Sequence, residues 1–435
     1  MAIATARPLA ALFRQRAFAA LWWGQLVSLT GERVAYLALI ALLAAHTSAF
    51  HDARSSWLLS ALANVMLAPV LLFAPFVGAW IDRQSRLRIM IGADLLRAAA
   101  VLAMPVVYAV THSVTPVFVL LFLQFTSGVF FLPAKSALTP EIVSAPQRLQ
   151  ANIWLSGAGV IAAALGSLGG GWLVDRFGWA PALYLNGGTY LASVAAMLIM
   201  RTAVHPPDSV GQGAAHGGTT AVPRAGPEAP DLTAYLREIR DGLRVIRDDR
   251  HIVLALTTLA AVWLAGGFLH VAGNLHVQQA SGPPGVSRLG VLIAVLGAGS
   301  ALGTAWLNTA GRAVRRPLLL SASLVLAGAG MLLFAATTRL EFYAAAAFVM
   351  GLAAIPALMV TETMLQESAA PEVRGRVFAT RDFVMRLVLL ASVSLAGWAT
   401  RGLGARTALV VAGVGVMAAG VAALVRFNAA ARTPR

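Results

Sequence analysis

The chain has 435 residues, 58% of them hydrophobic and 12% charged, with a formal net charge of +15 and no cysteine. Soluble proteins carry about 25% charged residues, so this composition suits lipid rather than water, and the missing cysteines exclude disulfides, thiolate metal sites and cysteine nucleophiles. The basic residues, all arginine except Lys135, lie between apolar runs rather than on one polar face, which argues against a nucleic-acid partner.

Twelve apolar spans are predicted along the chain, at 18–46, 56–80, 89–110, 115–137, 150–173, 180–200, 252–275, 287–307, 316–336, 341–362, 379–400 and 405–427. Arg7, Arg14 and Arg16 precede the first span with no small-residue cleavage site after a short apolar core, so that span is expected to be retained. Alternate connections hold 26 and 6 Lys/Arg residues, with Arg33 inside a span. The positive-inside rule then predicts both termini in the cytoplasm and a multi-pass protein of a bacterial inner membrane. In that count Arg97 and Lys135 fall among the inner, cytoplasmic charges.

The longest polar segment, 201–250, divides the spans six and six, giving bundles over 1–200 and 251–435. Its first part, His205 to Pro230, is rich in Gly, Pro, Ala and Thr without periodicity and is expected to be disordered. Residues 231–248 are predicted as an amphipathic helix with Asp231 as its N-cap. Leu232, Leu236, Ile239, Leu243 and Ile246 line one face, and Arg237, Arg240, Arg244 and Arg247 the other. Such a helix suits the anionic inner leaflet and serves as a tether between the halves.

An internal repeat runs beneath this pattern. Gly78-Ala79-Trp80-Ile81-Asp82-Arg83 is echoed by Gly303-Thr304-Ala305-Trp306-Leu307-Asn308, and Gly128 with Pro133-Ala134 by Gly351 with Pro356-Ala357. Two similar helical bundles in a membrane can enclose a central site reached from either side in turn.

The stretch Gly78-Ala79-Trp80-Ile81-Asp82-Arg83-Gln84-Ser85-Arg86 resembles the signature loop between helices 2 and 3 of the major facilitator superfamily. There Gly78 permits close helix approach, and Asp82 can accept bonds from a helix N-terminus, here that of the eleventh span between Arg376 and Asp382. Arg83 and Arg86 can pair with Glu141 in an ionic latch that holds one conformation. The echo carries Asn308 in place of the acid, so a second latch is expected to be weak or absent. Gly157, Gly166, Gly170 and Gly171 in the fifth span are similar to the glycine-rich element of the antiporter branch, with Ser167 in place of its proline. They are expected to pack helices closely or to form a hinge. Gly31-Glu32-Arg33, Asp94-x-x-Arg97, Ala151-Asn152 and Arg374-Gly375-Arg376-Val377-Phe378-Ala379 resemble the drug and siderophore exporter branch, the drug:proton antiporters. The fold this implies is all-α, twelve transmembrane helices in two six-helix bundles.

Charges inside spans cost roughly 2.5–3.5 kcal/mol each at mid-helix, so they mark function. Glu32 is the candidate proton-coupling carboxylate, since protonation removes a costly charge, with a carboxylate bonded permanently to an arginine or a helix terminus as the alternative. Arg33 is a candidate substrate contact or structural partner, and Asp94 with Arg97 a local pair supporting the signature loop. Glu362, Asp382 and Arg386 are expected at a cytoplasmic gate. Gln25, Asn64, Gln124, Asn152, Asn186, His270 and Asn274 are polar enough to line a cavity. Trp22, Trp23, Phe73, Phe130, Phe131, Trp154 and Phe268 could form an aromatic wall.

No phosphate-binding Gly-x4-Gly-Lys loop, zinc motif or haem motif is present, so neither a cofactor nor a metal is called for, and the chain reads as no enzyme. The expected function is export of an amphipathic or hydrophobic small molecule by proton-coupled alternating access, from a monomer whose partners are substrate, protons and membrane lipid. A lipid or lysophospholipid transporter of the same fold, an uptake system for a polar solute and a non-transporting receptor or scaffold stay open as alternatives.

Overall fold

The computed structural model describes residues 12–48, 50, 54–81, 84–203, 232–248, 250–281, 285–368 and 371–430. Asp82, Arg83, the stretch 204–231 with Asp231, and the first eleven residues with Arg7 lie outside the described residues.

Each apolar run folds as a helix because a backbone in lipid must satisfy its own N–H and C=O groups. In the first half these are α1 (Arg16–His46), α2 (Ser55–Ile81), α3 (Arg86–Thr111), α4 (Val114–Ile142), α5 (Arg148–Phe177) and α6 (Trp179–Ala203). In the second half α7 runs through Arg250–Phe268, a π-helical turn at Leu269–Gly273 and Asn274–Ser281. Then follow α8 (Val286–Asn308), α9 (Arg316–Ala336), α10 (Leu340–Ser368), α11 (Pro371–Leu403) and α12 (Ala405–Ala430). All twelve are long and apolar enough to cross a membrane. Several outrun the predicted spans, α4 by five residues and α10 by six at their C-terminal ends, because nothing breaks the helix where the apolar run stops.

The two halves repeat one packing scheme. In the first, α1 packs on α5 and α6, α3 on α4 and α6, and α2 on α4; in the second, α7 packs on α11 and α12, α9 on α10 and α12, and α8 on α10. The repeated glycines sit at these contacts. A Cβ on Gly303 would lie 2.7 Å from the carbonyl oxygen of Leu352, and one on Gly351 would collide with that of Leu296. Many large apolar side chains, Val110, Leu149 and Val119 among them, are exposed on the outside of the bundle, as lipid contact requires.

Across the halves, α5 packs on α8 and α2 on α11. An even number of spans returns the chain to the face it left. That face, which also bears the connector helix Leu232–Asp248, is here called the connector face. Hydrogen bonds between the halves gather toward the opposite face. Asp175 accepts from the backbone N–H groups of Val286 and Ser287 at 3.1 and 2.9 Å. Ser60 donates to the Val393 carbonyl at 2.9 Å, Asn64 to Ser394 at 2.9 Å, and Gln279 to the Phe50 carbonyl at 3.2 Å. On the connector face the described ion pairs, Arg86–Glu141, Arg316–Glu367 and Arg381 with Glu362 and Asp382, each stay within one half.

The connector helix spans Leu232–Asp248, and its buried edge differs from the expected apolar face. Ile239 and Ile246 are buried, while Leu243 is 44% exposed and drops out of the expected apolar face. The reason is Gly242: it abuts the Arg376 carbonyl and Thr380 of α11, so the helix rests on its Ile239–Gly242–Ile246 edge. Arg237, Arg240, Arg244 and Arg247 are exposed.

Candidate functional site

The site is built on one stripe of α1. Gln25, Ser28, Glu32 and Tyr36 follow each other at intervals of three and four residues, so they share a face of the helix. Gln25 and Ser28 are buried, at 4% and 1% exposure. Each polar member of the stripe except Ser28 meets a partner from a different helix.

At the connector-face end, the Lys135 ammonium from α4 donates to the Gln25 Oε1 at 3.0 Å. Next along the stripe, the Arg97 guanidinium from α3 lies 3.6 Å from the Glu32 Oε1 and 3.1 Å from the Asp94 Oδ1. The Tyr190 hydroxyl from α6 donates to the same Glu32 oxygen at 3.1 Å, and Gln124 from α4 donates to that hydroxyl at 3.1 Å. Arg97 also stacks over the rings of Phe131 and Tyr190, with centroids at 4.8 and 5.6 Å. Beyond Glu32, Tyr36 meets the His270 Nδ1 from α7 at 3.2 Å.

Asp94 is fully buried and Arg97 nearly so, whereas the Glu32 side chain keeps 34% exposure. One cation therefore serves two carboxylates, one sealed in protein and one open. Burying that cation would be costly without both partners, since an unpaired buried charge is strongly unfavourable. Gly128 makes the arrangement possible. A Cβ there would stand 2.7 Å from the Arg97 Nη2.

Other expected residues divide into four groups. Gln25, Gln124 and Glu32 converge as described. Asn186 is buried on α6 against Gly31, with Thr189 donating to its Oδ1 at 3.2 Å, and supports the α1–α6 contact behind the site. Asn64 belongs instead to the α2–α11 seam. Arg33 is exposed, with its stem against Gly166, and it makes none of the described ion pairs. Asn152 is exposed on α5.

Asp94 and Arg97 form the expected local pair at 3.1 Å, and Arg97 reaches Glu32 as well, while Lys135 donates to buried Gln25. Hydropathy places a charge near a span end without showing which way a long side chain bends. The aromatic wall does not assemble. Trp22 and Trp154 pack with Phe13, Trp23 is 56% exposed, Phe130 faces Trp80, and Phe131 lies under Arg97.

Of the latch residues, Arg86 pairs with Glu141 as expected, Arg376 is exposed, and Asp382 pairs with Arg381 at 2.8 Å. Gly78 lies within α2, while Asp82 and Arg83 are outside the described residues. Of the glycines, Gly166 packs on the Thr30 carbonyl, Gly170 on Val34, and Gly171 on Ser287 across the halves. Gly157 does not pack: a Cβ there would meet nothing within 4 Å. Asp175 was missed by the sequence reading. Its one signal was an acid closing an apolar span just before Arg176.

Among the described residues no group of three or more His, Cys, Asp or Glu is arranged to hold a metal. The arrangement sets two carboxylates on one guanidinium and presents a partly apolar cleft between halves.

Comparison with known proteins agrees with this architecture. Residues 21–312 match the family model described as Major Facilitator Superfamily. The chain is 25% identical over 387 residues to "Macrolide efflux protein A" of Streptococcus pyogenes, with 86% of each covered. It is 25% identical over 362 residues to "Putative bacilysin exporter BacE" of Bacillus subtilis (strain 168), with 83% of each covered. A crystal structure of a POT family transporter in complex with 5-aminolevulinic acid superposes with a TM-score of 0.66 at 10% identity, covering 94% of this chain and 96% of that one. With its twelve membrane-spanning helices in two repeated bundles and its similarity to exporters, the chain belongs to the major facilitator superfamily of membrane transporters.

Proposed function

We propose that the protein exports an amphipathic or hydrophobic small molecule from the cytoplasm, driven by inward proton movement through Glu32. The observation that carries this reading is the shared cation: Arg97 lies between buried Asp94 and accessible Glu32, and Tyr190 donates to Glu32 as well. When Glu32 takes a proton, Arg97 is left to Asp94 alone, and the α1–α3–α6 contact loses an ionic bond. Two charges about 4 Å apart interact by about 4 kcal/mol at an effective dielectric near 20, before desolvation is subtracted. That is comparable to the roughly 5.5 kcal/mol that turns a 1:99 equilibrium into 99:1.

The positive-inside rule assigns the connector face to the cytoplasm, with both termini there, in a bacterial inner membrane. The described conformation, closed toward the opposite face, is then the inward-facing one. The moving bodies are residues 1–200 and 251–435, joined through 201–250, and the unit is a monomer. In the cycle, Glu32 is protonated with the outer side open, the halves rock, and the proton leaves inward as substrate binds. Relatives named for macrolide efflux and bacilysin export support the outward direction.

The test is transport of a fluorescent amphipathic dye in proteoliposomes under an imposed pH gradient. Wild type should accumulate dye against its gradient, and Glu32→Gln should lose that accumulation while still exchanging dye down a gradient. Gradient-driven transport that survives in Glu32→Gln would remove Glu32 from the mechanism.

A further inference from the structure

A cavity of about 260 Å³ lies between α1 and the second half, one helical turn beyond Glu32. That is near the lower end of small-molecule sites, roughly 300–1,000 Å³. Its walls are apolar, with Ile40, Leu292, Ile293, Phe334 and Met350 among them, and three polar side chains, Tyr36, His270 and Asn274, also line it. Asn274 is 5% exposed, yet its Oδ1 has no hydrogen-bond partner, and neither has the His270 Nε2. A buried polar atom left unpaired costs about 1–3 kcal/mol, so a ligand that pairs these two atoms on the cavity wall gains by it. His270 lies in the π-helical turn Leu269–Gly273 and Asn274 directly after it, and the His270 ring lies against Tyr36. Such turns recur at functional sites.

The Asn274 Oδ1 is a carbonyl oxygen and can only accept, and it has no partner. The Tyr36 hydroxyl lies 3.2 Å from the His270 Nδ1. In the tautomer in which the hydroxyl donates to Nδ1, the neutral imidazole carries its proton on Nε2. In that tautomer the cavity shows its occupant one donor, the His270 Nε2–H, and one acceptor, the Asn274 Oδ1.

We infer that this cavity binds the apolar body of a ligand through a neutral head group that both accepts and donates a hydrogen bond, a hydroxyl or a carboxamide. A carboxylate has no hydrogen for Asn274, and an ammonium has no lone pair for His270. The inference deepens the transport reading by naming the substrate class and rests on that reading only in calling the ligand a substrate.

The test is calorimetric titration of purified protein, with no pH gradient, using five ligands on one naphthalene body: naphthylmethanol, naphthamide, naphthoate, naphthylmethylammonium and methylnaphthalene. The alcohol and the amide should bind about tenfold tighter than the other three, the gain expected for pairing the orphaned groups. His270→Phe and Asn274→Leu, each close in shape and checked for native size-exclusion behaviour, should bring all five to the affinity of methylnaphthalene. Tightest binding by the ammonium or the carboxylate, equal binding by all five, no binding by any, or a preference untouched in both variants would overturn the inference. Failure of proton coupling leaves this readout unmoved, and failure here leaves the Glu32→Gln transport test unmoved, so the two are separable.

Discussion

Asp175→Asn should open the sealed face. In the described conformation both Asp175 carboxylate oxygens are occupied, by the Val286 and Ser287 N–H groups at 3.1 and 2.9 Å. These belong to the first turn of α8, where unpaired N–H groups and the helix dipole favour an anion. Hydrogen bonds to a charged group contribute about 1.5–3 kcal/mol each. The amide keeps one acceptor and loses the charge, and water at a helix end returns part of the loss, which leaves about 2–3 kcal/mol. Because the contact joins the halves, this energy is withdrawn from the closed state alone. The equilibrium between faces should shift about 30- to 150-fold, lifting a 1% minor state to roughly a quarter or more. The chain has no native cysteine, so introduced pairs are its sole thiols. Spin labels at Trp57 and Leu403 report the sealed face, and labels at Gln84 and Arg376 report the connector face; all four residues are exposed. In Asp175→Asn the first distance should lengthen in a new population and the second shorten in the same proportion. Distance distributions identical to wild type at both pairs would refute the role given to Asp175.

Gly290→Ala should act in the same direction, because its Cβ would collide with the Ser167 carbonyl oxygen across the seam. Overpacking there costs about 1–3 kcal/mol, and the same label pairs should record it. Arg97→Met should lower stability by about 3–5 kcal/mol, since it strands Asp94 and Glu32 without their cation, as thermal unfolding in detergent would record. Adding Glu32→Gln and Asp94→Asn to Arg97→Met should restore most of that stability while abolishing gradient-driven transport; recovery of transport would contradict the shared-cation mechanism.

The spans were legible because lipid imposes a length and a composition on any helix that crosses it. What sequence could not supply is rotation. Lipid tails and a neighbouring helix are equally apolar, so an amphipathic pattern does not tell the buried face of α3 from its outer one. Arg97 therefore looked like an interfacial charge and proved to be the most connected side chain of the site. The repeat was legible too, but the work of each copy was not. Gly128 leaves room for a guanidinium, whereas its counterpart Gly351 admits the backbone of α8. The π-helical turn had no signal beyond glycines at 266, 267 and 273, which a membrane helix carries for many reasons.

That difference between equivalent glycines shows how two halves with one packing scheme carry different chemistry. Both halves have the same helix packing, so on geometry alone neither is favoured to hold the proton. The first half places Glu32, Asp94, Arg97 and Lys135 around the α1 stripe, while the cavity walls of the second are apolar save for His270 and Asn274. In the proposed mechanism a change of charge at Glu32 acts in the first half, and an apolar ligand body rests against the second. Tyr36, one turn from Glu32, touches both through its bond to His270. Since α1 carries Glu32 and Tyr36 on one rigid helix, a shift of α1 on losing its Arg97 contact must also shift Tyr36 against His270. Proton and ligand would then be coupled through about one helical turn rather than across the whole protein. Rigid helix geometry is sufficient for that, because a packed helix moves as a unit rather than bending residue by residue.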